Sequence, residues 1–311
     1  MSAAPGPSYT ADGSRQSIRV QSDRRVRLDI GKNLMPTIAE KRATFHKLHA
    51  AGCFVIPNPW DIGTTRYLQH LGFKALATTS AGFAFARGLP DAAVSRDDML
   101  AHIAEIVAAT DLPVNADFEG GYADAPEGVA ESVRLCVETG VAGLSIEDST
   151  GDKDKPLYDL DLAVARMKAA RAAIDKAGGD VLLTGRAECF LVGRPDLDET
   201  VRRLKAYSAA GADCLYAPGI RTPEQIAAVV KAAAPKPVNV LMSGALGLTV
   251  ANLEALGARR ISVGGTLARV AWGAFIRAAK AIASDGRFDA FKDAAPHAEI
   301  NGFFRDDMKA R

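Results

Sequence analysis

Pro113-Val114-Asn115-Ala116-Asp117-Phe118-Glu119-Gly120-Gly121-Tyr122 is a short β-rich run that gives way to acidic residues and a pair of glycines. Side chains alternate along a strand, so Asn115, Asp117 and Glu119 share one face, while Ala116 and Phe118 share the other. The apolar pair suits packing beneath helices, which leaves the polar set facing an interior. The same kind of unit recurs on both sides of this run. Further strand candidates are Cys53–Pro57, Ala75–Thr79, Gly143–Asp148, Val181–Glu188, Cys214–Ala217, Val238–Leu241 and Ile261–Val263. Amphipathic stretches of about 10–18 residues separate them. Gly52, Gly72, Gly140, Gly211 and Gly257 each fall between a helix and the next strand, where a left-handed residue ends a helix. Ser95 with Asp98, and Thr222-Pro223 with Gln225, read as helix starts of the capping-box kind. Eight strand–helix units are what a closed parallel cylinder needs, so the pattern predicts an α/β protein of the (β/α)8 TIM-barrel type. No Gly-x-Gly-x-x-Gly turn follows the first strand, which argues against a dinucleotide-binding open sheet.

The 311 residues exceed the roughly 250 of such a barrel, and the excess falls at the two ends. Residues 1–34 are rich in Ser, Gly, Pro and Arg and lack periodicity, which predicts a disordered N-terminal extension ahead of a single barrel domain over 35–311. After the last strand come a long apolar helix, Thr266–Ala283, and further helix over Phe288–Lys309. They carry Trp272, Phe275, Phe288, Phe291, Phe303 and Phe304 with no evident place on their own barrel. Subunit contact is therefore expected. Lys+Arg of 38 against Asp+Glu of 37 gives a net charge of +1, so neither nucleic acid nor an anionic membrane is an expected partner. No apolar run approaches the ~18 residues of a membrane span. The four cysteines are dispersed with no Cys-x-x-Cys pair, which argues against a zinc module or disulfide scaffold and suits a reducing cytoplasm.

In a barrel of this kind the chemistry sits at the C-terminal ends of the strands. Asp117 and Glu119 from the third strand and Glu147 from the fourth form an all-oxygen set, which suits Mg²⁺, or Mn²⁺, rather than zinc. On the fifth strand Thr184, Arg186 and Glu188 share a face. A guanidinium beside these acids can pair with a substrate carboxylate, neutralise the acids, or do both. Asn239 is a polar residue where the seventh strand ends, placed for ligand contact or for local backbone bonding. The five histidines lie on helices or in the tail, no lysine ends a strand facing inward, and there is no Gly-x-Ser-x-Gly elbow. What remains is metal-held polarisation of a carbonyl, with carboxylates and an arginine around it.

Several motifs in order, from about residue 40 to 285, make the chain similar to the isocitrate lyase/phosphoenolpyruvate mutase superfamily. They are Asn58-Pro59-Trp60-Asp61, Thr78-Thr79-Ser80-Ala81-Gly82, Gly88-Leu89-Pro90-Asp91, Asp117-Phe118-Glu119-Gly120-Gly121-Tyr122, Ile146-Glu147-Asp148 and Gly185-Arg186. The resemblance implies a barrel whose eighth helix is exchanged between subunits, as a homodimer or homotetramer. It also implies Mg²⁺ and a small-molecule 2-oxo acid that reacts through an enolate. It puts Asp117, Glu119 and Glu147 at the metal, with Asp91 helping through bound water. Ser80, Ala81 and Gly82 fall on the loop that holds the substrate carboxylate, with Thr79 and Trp60 also at the substrate. Arg186 steadies the enolate oxygen, Glu147 belongs to the catalytic set, and Asn239 becomes a substrate contact.

The chain departs from the family in one loop. Lyase members carry a Lys-Lys/Arg-Cys-Gly-His motif after the fourth strand; here the stretch is Ser149-Thr150-Gly151-Asp152-Lys153-Asp154-Lys155-Pro156-Leu157-Tyr158-Asp159, without cysteine. The Lys-Thr-Asn sequence of the mutase loop is missing too. Tyr122, Tyr158 and Glu188 are the remaining candidates for a proton donor. The expectation is a lyase-type enzyme, Mg²⁺-dependent, that removes CO₂ from an oxaloacetate-like compound. The alternatives are a 2-methylisocitrate- or isocitrate-type lyase, a phosphonopyruvate hydrolase or phosphoenolpyruvate mutase, and a 2-oxo-acid-binding protein without turnover.

Overall fold

The computed structural model describes residues 35–311, and the extension expected over 1–34 lies outside them. Eight parallel strands form one sheet: β1 (Phe54–Ile56), β2 (Leu76–Ala77), β3 (Val114–Asp117), β4 (Gly143–Glu147), β5 (Leu182–Arg186), β6 (Cys214–Tyr216), β7 (Val238–Leu241) and β8 (Arg260–Ser262). Their order is β1-β8-β7-β6-β5-β4-β3-β2. Between the two end strands a single backbone bond, Ala77 N–H to the Pro57 carbonyl at 3.0 Å, nearly completes the cylinder. The first helices are α1 (Ile38–Ala50), α2 (Ile62–His70), α3 (Ser80–Ala86), α4 (Arg96–Ala108), α5 (Pro126–Glu138) and α6 (Leu160–Lys176). Then come α7 (Leu197–Ala209), α8 (Pro223–Ala233), α9 (Val250–Ala255), α10 (Thr266–Asp285) and α11 (His297–Ala310). This is the (β/α)8 barrel that the strand–helix rhythm predicts.

Local chemistry sets the boundaries. Thr222 and Gln225 close a full capping box around Pro223 at the first position of α8. Ser95 caps α4, but Asp98 is one carbon shorter than Glu and bonds the Ser95 hydroxyl instead of reaching the backbone. All five inter-element glycines named above have positive φ, from +70° at Gly52 to +104° at Gly211.

The alternation of each strand builds two cores. Outward side chains such as Ala116, Phe118, Leu144, Ile146, Leu183, Leu215, Val240 and Ile261 are buried in the layer beneath the helices. Gly185 allows a close approach, because a Cβ there would meet the Tyr207 Cβ at 2.9 Å. Inside, Phe54, Ile56, Ala75, Ala77 and Leu182 pack together with Phe45 of α1, which closes the N-terminal end of the barrel. Helix α1 is held there by cations on backbone carbonyls: Lys41 Nζ donates to Val107 at 3.2 Å, and Arg42 donates to Val137 and Val141 at 3.0 Å each.

The C-terminal helices behave differently from each other. Helix α10 is 20 residues long and buries only Ala268. Val270 and Phe275 are 64% and 60% exposed. Helix α11, expected to lack a place on its own barrel, instead folds back on α2. The Phe303 ring lies 5.0 Å from those of Tyr67 and His70, Phe304 abuts Gly63, and Arg66 pairs with Asp307 at 3.3 Å. Two small apolar and aromatic faces meet there, which the helix pattern of α11 alone does not reveal. Among the described residues no helix is long and apolar enough to cross a membrane.

Candidate active site

At the C-terminal mouth, the parity of β3, β4 and β5 brings Asp117, Glu147 and Arg186 together. Arg186 is 12% exposed and donates to Asp117 Oδ1 at 2.6 Å, with Glu147 Oε2 and Glu188 Oε1 each 2.9 Å away. Burial opposes its charge, yet Glu147, Glu188 and Asp117 together hold its proton more tightly than usual. Asp117 Oδ2 accepts from the backbone N–H and hydroxyl of Ser80, at 3.0 and 3.1 Å, which ties the start of α3 to β3. Ser80 also reaches Asp91 at 3.4 Å. Asp148, one residue past Glu147, points the other way and anchors Glu188 N–H at 2.8 Å and Arg203 at 3.0 Å.

Glu119 does not continue the strand. Its φ is +48° and that of Tyr122 is +58°, so the chain turns sharply as it leaves β3. The Tyr122 hydroxyl donates to Glu119 at 3.1 Å and holds the carboxylate in place. Burial first, then the charge of Asp117, pushes the Glu119 carboxyl up to about 7. Burial and Asp117 also raise Asp91. Glu147 is raised by burial and Asp117, against the pull of Arg186. Beneath the turn, the buried Arg166 donates to the carbonyls of Gly120, Ala123 and Asp124, and its guanidinium lies 4.0 Å over the Tyr158 ring.

A cavity of about 180 Å³ opens at this mouth. It is lined by Thr79, Ser80, Ala81, Asp91, Asp117 and Arg186 above, and by Asn115, Tyr216, Asn239 and Arg260 below. It is smaller than the ~300 Å³ lower bound of drug-sized sites, which suits a metabolite of a few carbons. Glu119, Glu147 and Tyr122 are not among its lining residues. Gly82 lies under the loop, where a Cβ would meet Thr79 Cγ2 at 2.6 Å, and Trp60 lines a separate apolar groove with Ala268, Trp272 and Phe275. Cys136, Cys189 and Cys214 are buried and no cysteine lines the cavity. The β6 exit, Tyr216-Ala217-Pro218-Gly219, carries no carboxylate.

Tyr216 and Arg260 are cavity residues that escape the sequence reading. Tyr216 lies with its ring centroid 5.1 Å from the Arg186 guanidinium carbon. Arg260 sits one residue before the expected start of the eighth strand. The shared parity of 260 and 262 is the signal that places it inside.

The donor chemistry fits Mg²⁺. The charge of Asp117, after burial, raises the proton affinity of Asp91, Glu119 and Glu147 around a single guanidinium. All their donors are oxygen. Among the described residues no three acidic, His or Cys side chains converge into a ready-made cage. A hydrated Mg²⁺ does not require one, since it keeps several waters and takes one or two carboxylates directly.

Comparison with known proteins follows the same lines. Residues 45–283 match the family model described as phosphoenolpyruvate phosphomutase. An uncharacterised protein of Mycobacterium tuberculosis strain H37Rv is 33% identical over 83% of this chain and 94% of its own length. An oxaloacetate decarboxylase of Paraburkholderia xenovorans is 29% identical over 68% of this chain and 71% of its own. A solved structure from Burkholderia cenocepacia J2315, described provisionally as a lyase/mutase, is 52% identical with TM-score 0.83, covering 86% of this chain and 97% of that one. On the strength of the match over most of its length, the chain belongs to the phosphoenolpyruvate phosphomutase family, within the PEP mutase/isocitrate lyase superfamily that its motifs resemble.

Proposed function

We propose that this protein decarboxylates a small 2-oxo dicarboxylate of the oxaloacetate type, with Mg²⁺ as its cofactor. One observation carries the reading. The cavity gathers two arginines, carboxylates and a phenol, but no thiol lines it and no carboxylate stands at the β6 exit. A lyase that splits a C–C bond beside a hydroxyl needs a base on that hydroxyl and an acid for the departing carbanion. Loss of CO₂ needs neither when the bond breaks. The likeness to an oxaloacetate decarboxylase supports the same substrate class.

Asp117, Glu119, Glu147 and Asp91 are the residues that would hold the metal, which when bound polarises a 2-oxo acid's carbonyl. Ser80 and Ala81, at the first turn of α3, border the place for the C1 carboxylate, with Thr79 beneath. As the C3–C4 bond breaks, its electron pair moves into the C2–C3 bond and charge collects on the C2 oxygen. Arg186 is already fixed there by three carboxylates, so little reorganisation is needed. CO₂ leaves, and the enolate takes a proton at C3 to give pyruvate. Tyr216 is the cavity's most acidic neutral hydroxyl. Burial pushes it up to about 12, so it carries its proton at neutral pH.

The test is purified protein given oxaloacetate and Mg²⁺. Pyruvate should form above the spontaneous rate, and a chelator should stop it. Pyruvate at the background rate overturns the reading. Product from 2-methylisocitrate or phosphonopyruvate reassigns the enzyme to the lyases or to P–C chemistry. Stabilisation by a 2-oxo acid with no product from any of them marks a silent binding protein.

A further inference from the structure

Three arginines are buried among the described residues: Arg166, Arg203 and Arg260. Two of them are answered where they stand. Arg203 pairs with Asp148 at 3.0 Å and with Glu199 at 2.7 Å. Arg166 sits on three backbone carbonyls and the face of Tyr158, and it does not line the cavity. Arg260 does line it, and among the described residues no carboxylate lies within 4.0 Å of its guanidinium.

All the partners of Arg260 are neutral. Its Nε donates to Asn239 Oδ1 at 2.8 Å and its Nη2 to Thr184 Oγ1 at 3.1 Å. Its Nη1 donates to Asn115 Oδ1 at 3.3 Å and to His49 Nε2 at 3.4 Å. Bonding fixes the state of that histidine. Nδ1 faces the Phe45 carbonyl at 2.8 Å, which only accepts, while Nε2 faces an arginine, which only donates. The ring proton is therefore on Nδ1, and Nε2 offers a lone pair. Four bonds from β3, β5, β7 and α1 hold the guanidinium in place, but neutral acceptors leave its charge uncancelled. A buried charge without a counter-charge is costly, so a fold with no use for it would do better with a neutral side chain.

Arg186 cannot take over this task. Its charge is already met by Asp117, Glu147 and Glu188, so it can orient an oxygen but adds little net attraction for an anion. We propose that Arg260 is a specificity-determining residue, whose fixed charge beneath the cavity awaits a bound anion as its counter-ion and favours a dianion over a monoanion of the same shape. This deepens the decarboxylase reading, on which the choice of a dicarboxylate rests, but it concerns binding and not turnover.

The test sets succinate against its half-amide, succinamate, which has nearly the same shape and one charge fewer. Calorimetry with Mg²⁺ present throughout should show the wild type binding succinate more tightly by about 10-fold, the scale of a unit charge about 10 Å away at an effective dielectric of about 20. Equal affinities overturn the proposal. Thr184→Asp brings a carboxylate to the guanidinium from β5, at a residue that does not line the cavity. The preference for succinate should then fall by about 10-fold, to near parity. His49→Glu brings a carboxylate to the same guanidinium from α1, also away from the cavity wall, and should have the same effect even if the first variant does not fold. A preference that survives in a folded variant makes Arg260 a structural pin and overturns the proposal. If the wild type prefers succinate, loses that preference in the variants and yet releases no pyruvate from oxaloacetate, the decarboxylase reading fails while the role of Arg260 stands.

Discussion

Arg186 is matched to its setting by shape as well as charge, since its planar fork meets Asp117, Glu147 and Glu188 at once. Lysine keeps the charge but lacks the fork. Arg186→Lys should therefore lower kcat for pyruvate release by about 10²–10³-fold, the scale of a lost oxyanion donor. A variant within a few-fold of wild type would remove Arg186 from the reacting oxygen. His49 offers a second residue-scale prediction. Burial, then the charge of Arg260, depresses its pKa to about 3. Below the unfolded value of 6.5 the unfolded chain binds a proton that the native state refuses, so stability falls as pH drops from 6.5 toward 3. Denaturant titrations at pH 7 and pH 4 should show His49→Gln losing about 3 kcal/mol less than wild type between the two. Equal losses would mean that His49 titrates normally. Single residues also mark where the sequence stops being readable. Strand alternation turns Asp117 and Glu147 inward, as found, but it cannot foresee the left-handed backbone that swings Glu119 off the strand. A lone arginine beside Arg259 reads as surface until β8 is known to start at it.

Elements bring the acids together, and one helix supports the turn that carries two of the motif residues. Arg166 of α6 reaches across to the β3–α5 connection and satisfies three of its carbonyls. Arg166→Met removes that donor from a buried place, and chemical denaturation should show a loss of about 3 kcal/mol. Mg²⁺-induced stabilisation should weaken with it, because Glu119 and Tyr122 ride on the same turn. A variant as stable as wild type would mean that water replaces the guanidinium. Much of this level was legible beforehand. The helix-ending glycines, the Thr222 cap and the eight strand positions all follow from local chemistry, because each is decided within a few residues. The partnership of Arg166 with residues 42 to 46 positions away is not, since nothing in the helix pattern distinguishes a buried arginine from a solvated one.

At the scale of the whole molecule, α10 remains the odd element. Its Val270, Trp272, Phe275 and Ile276 are exposed on a helix that follows the last barrel strand. We propose that a second copy of the chain covers this face by exchanging α10, with Trp60 and its groove at the junction. Light scattering should then show a dimer or tetramer, and Phe275→Asp should shift it toward monomer. A monomeric wild type would overturn the exchange. The length and apolar character of α10 were readable from sequence, whereas the docking of α11 on α2 required the two faces to be seen together.

The single backbone bond between Ala77 and Pro57 has a consequence for how the cylinder yields under stress. Every other pair of neighbouring strands is laced by a ladder, so a force that opens the barrel meets least resistance along that one line. The tear would start between the first two strands. The Asn58 side chain, bonded to Thr78 on one side and to Val263 and Gly264 on the other, acts as the stitch that keeps the two lips together.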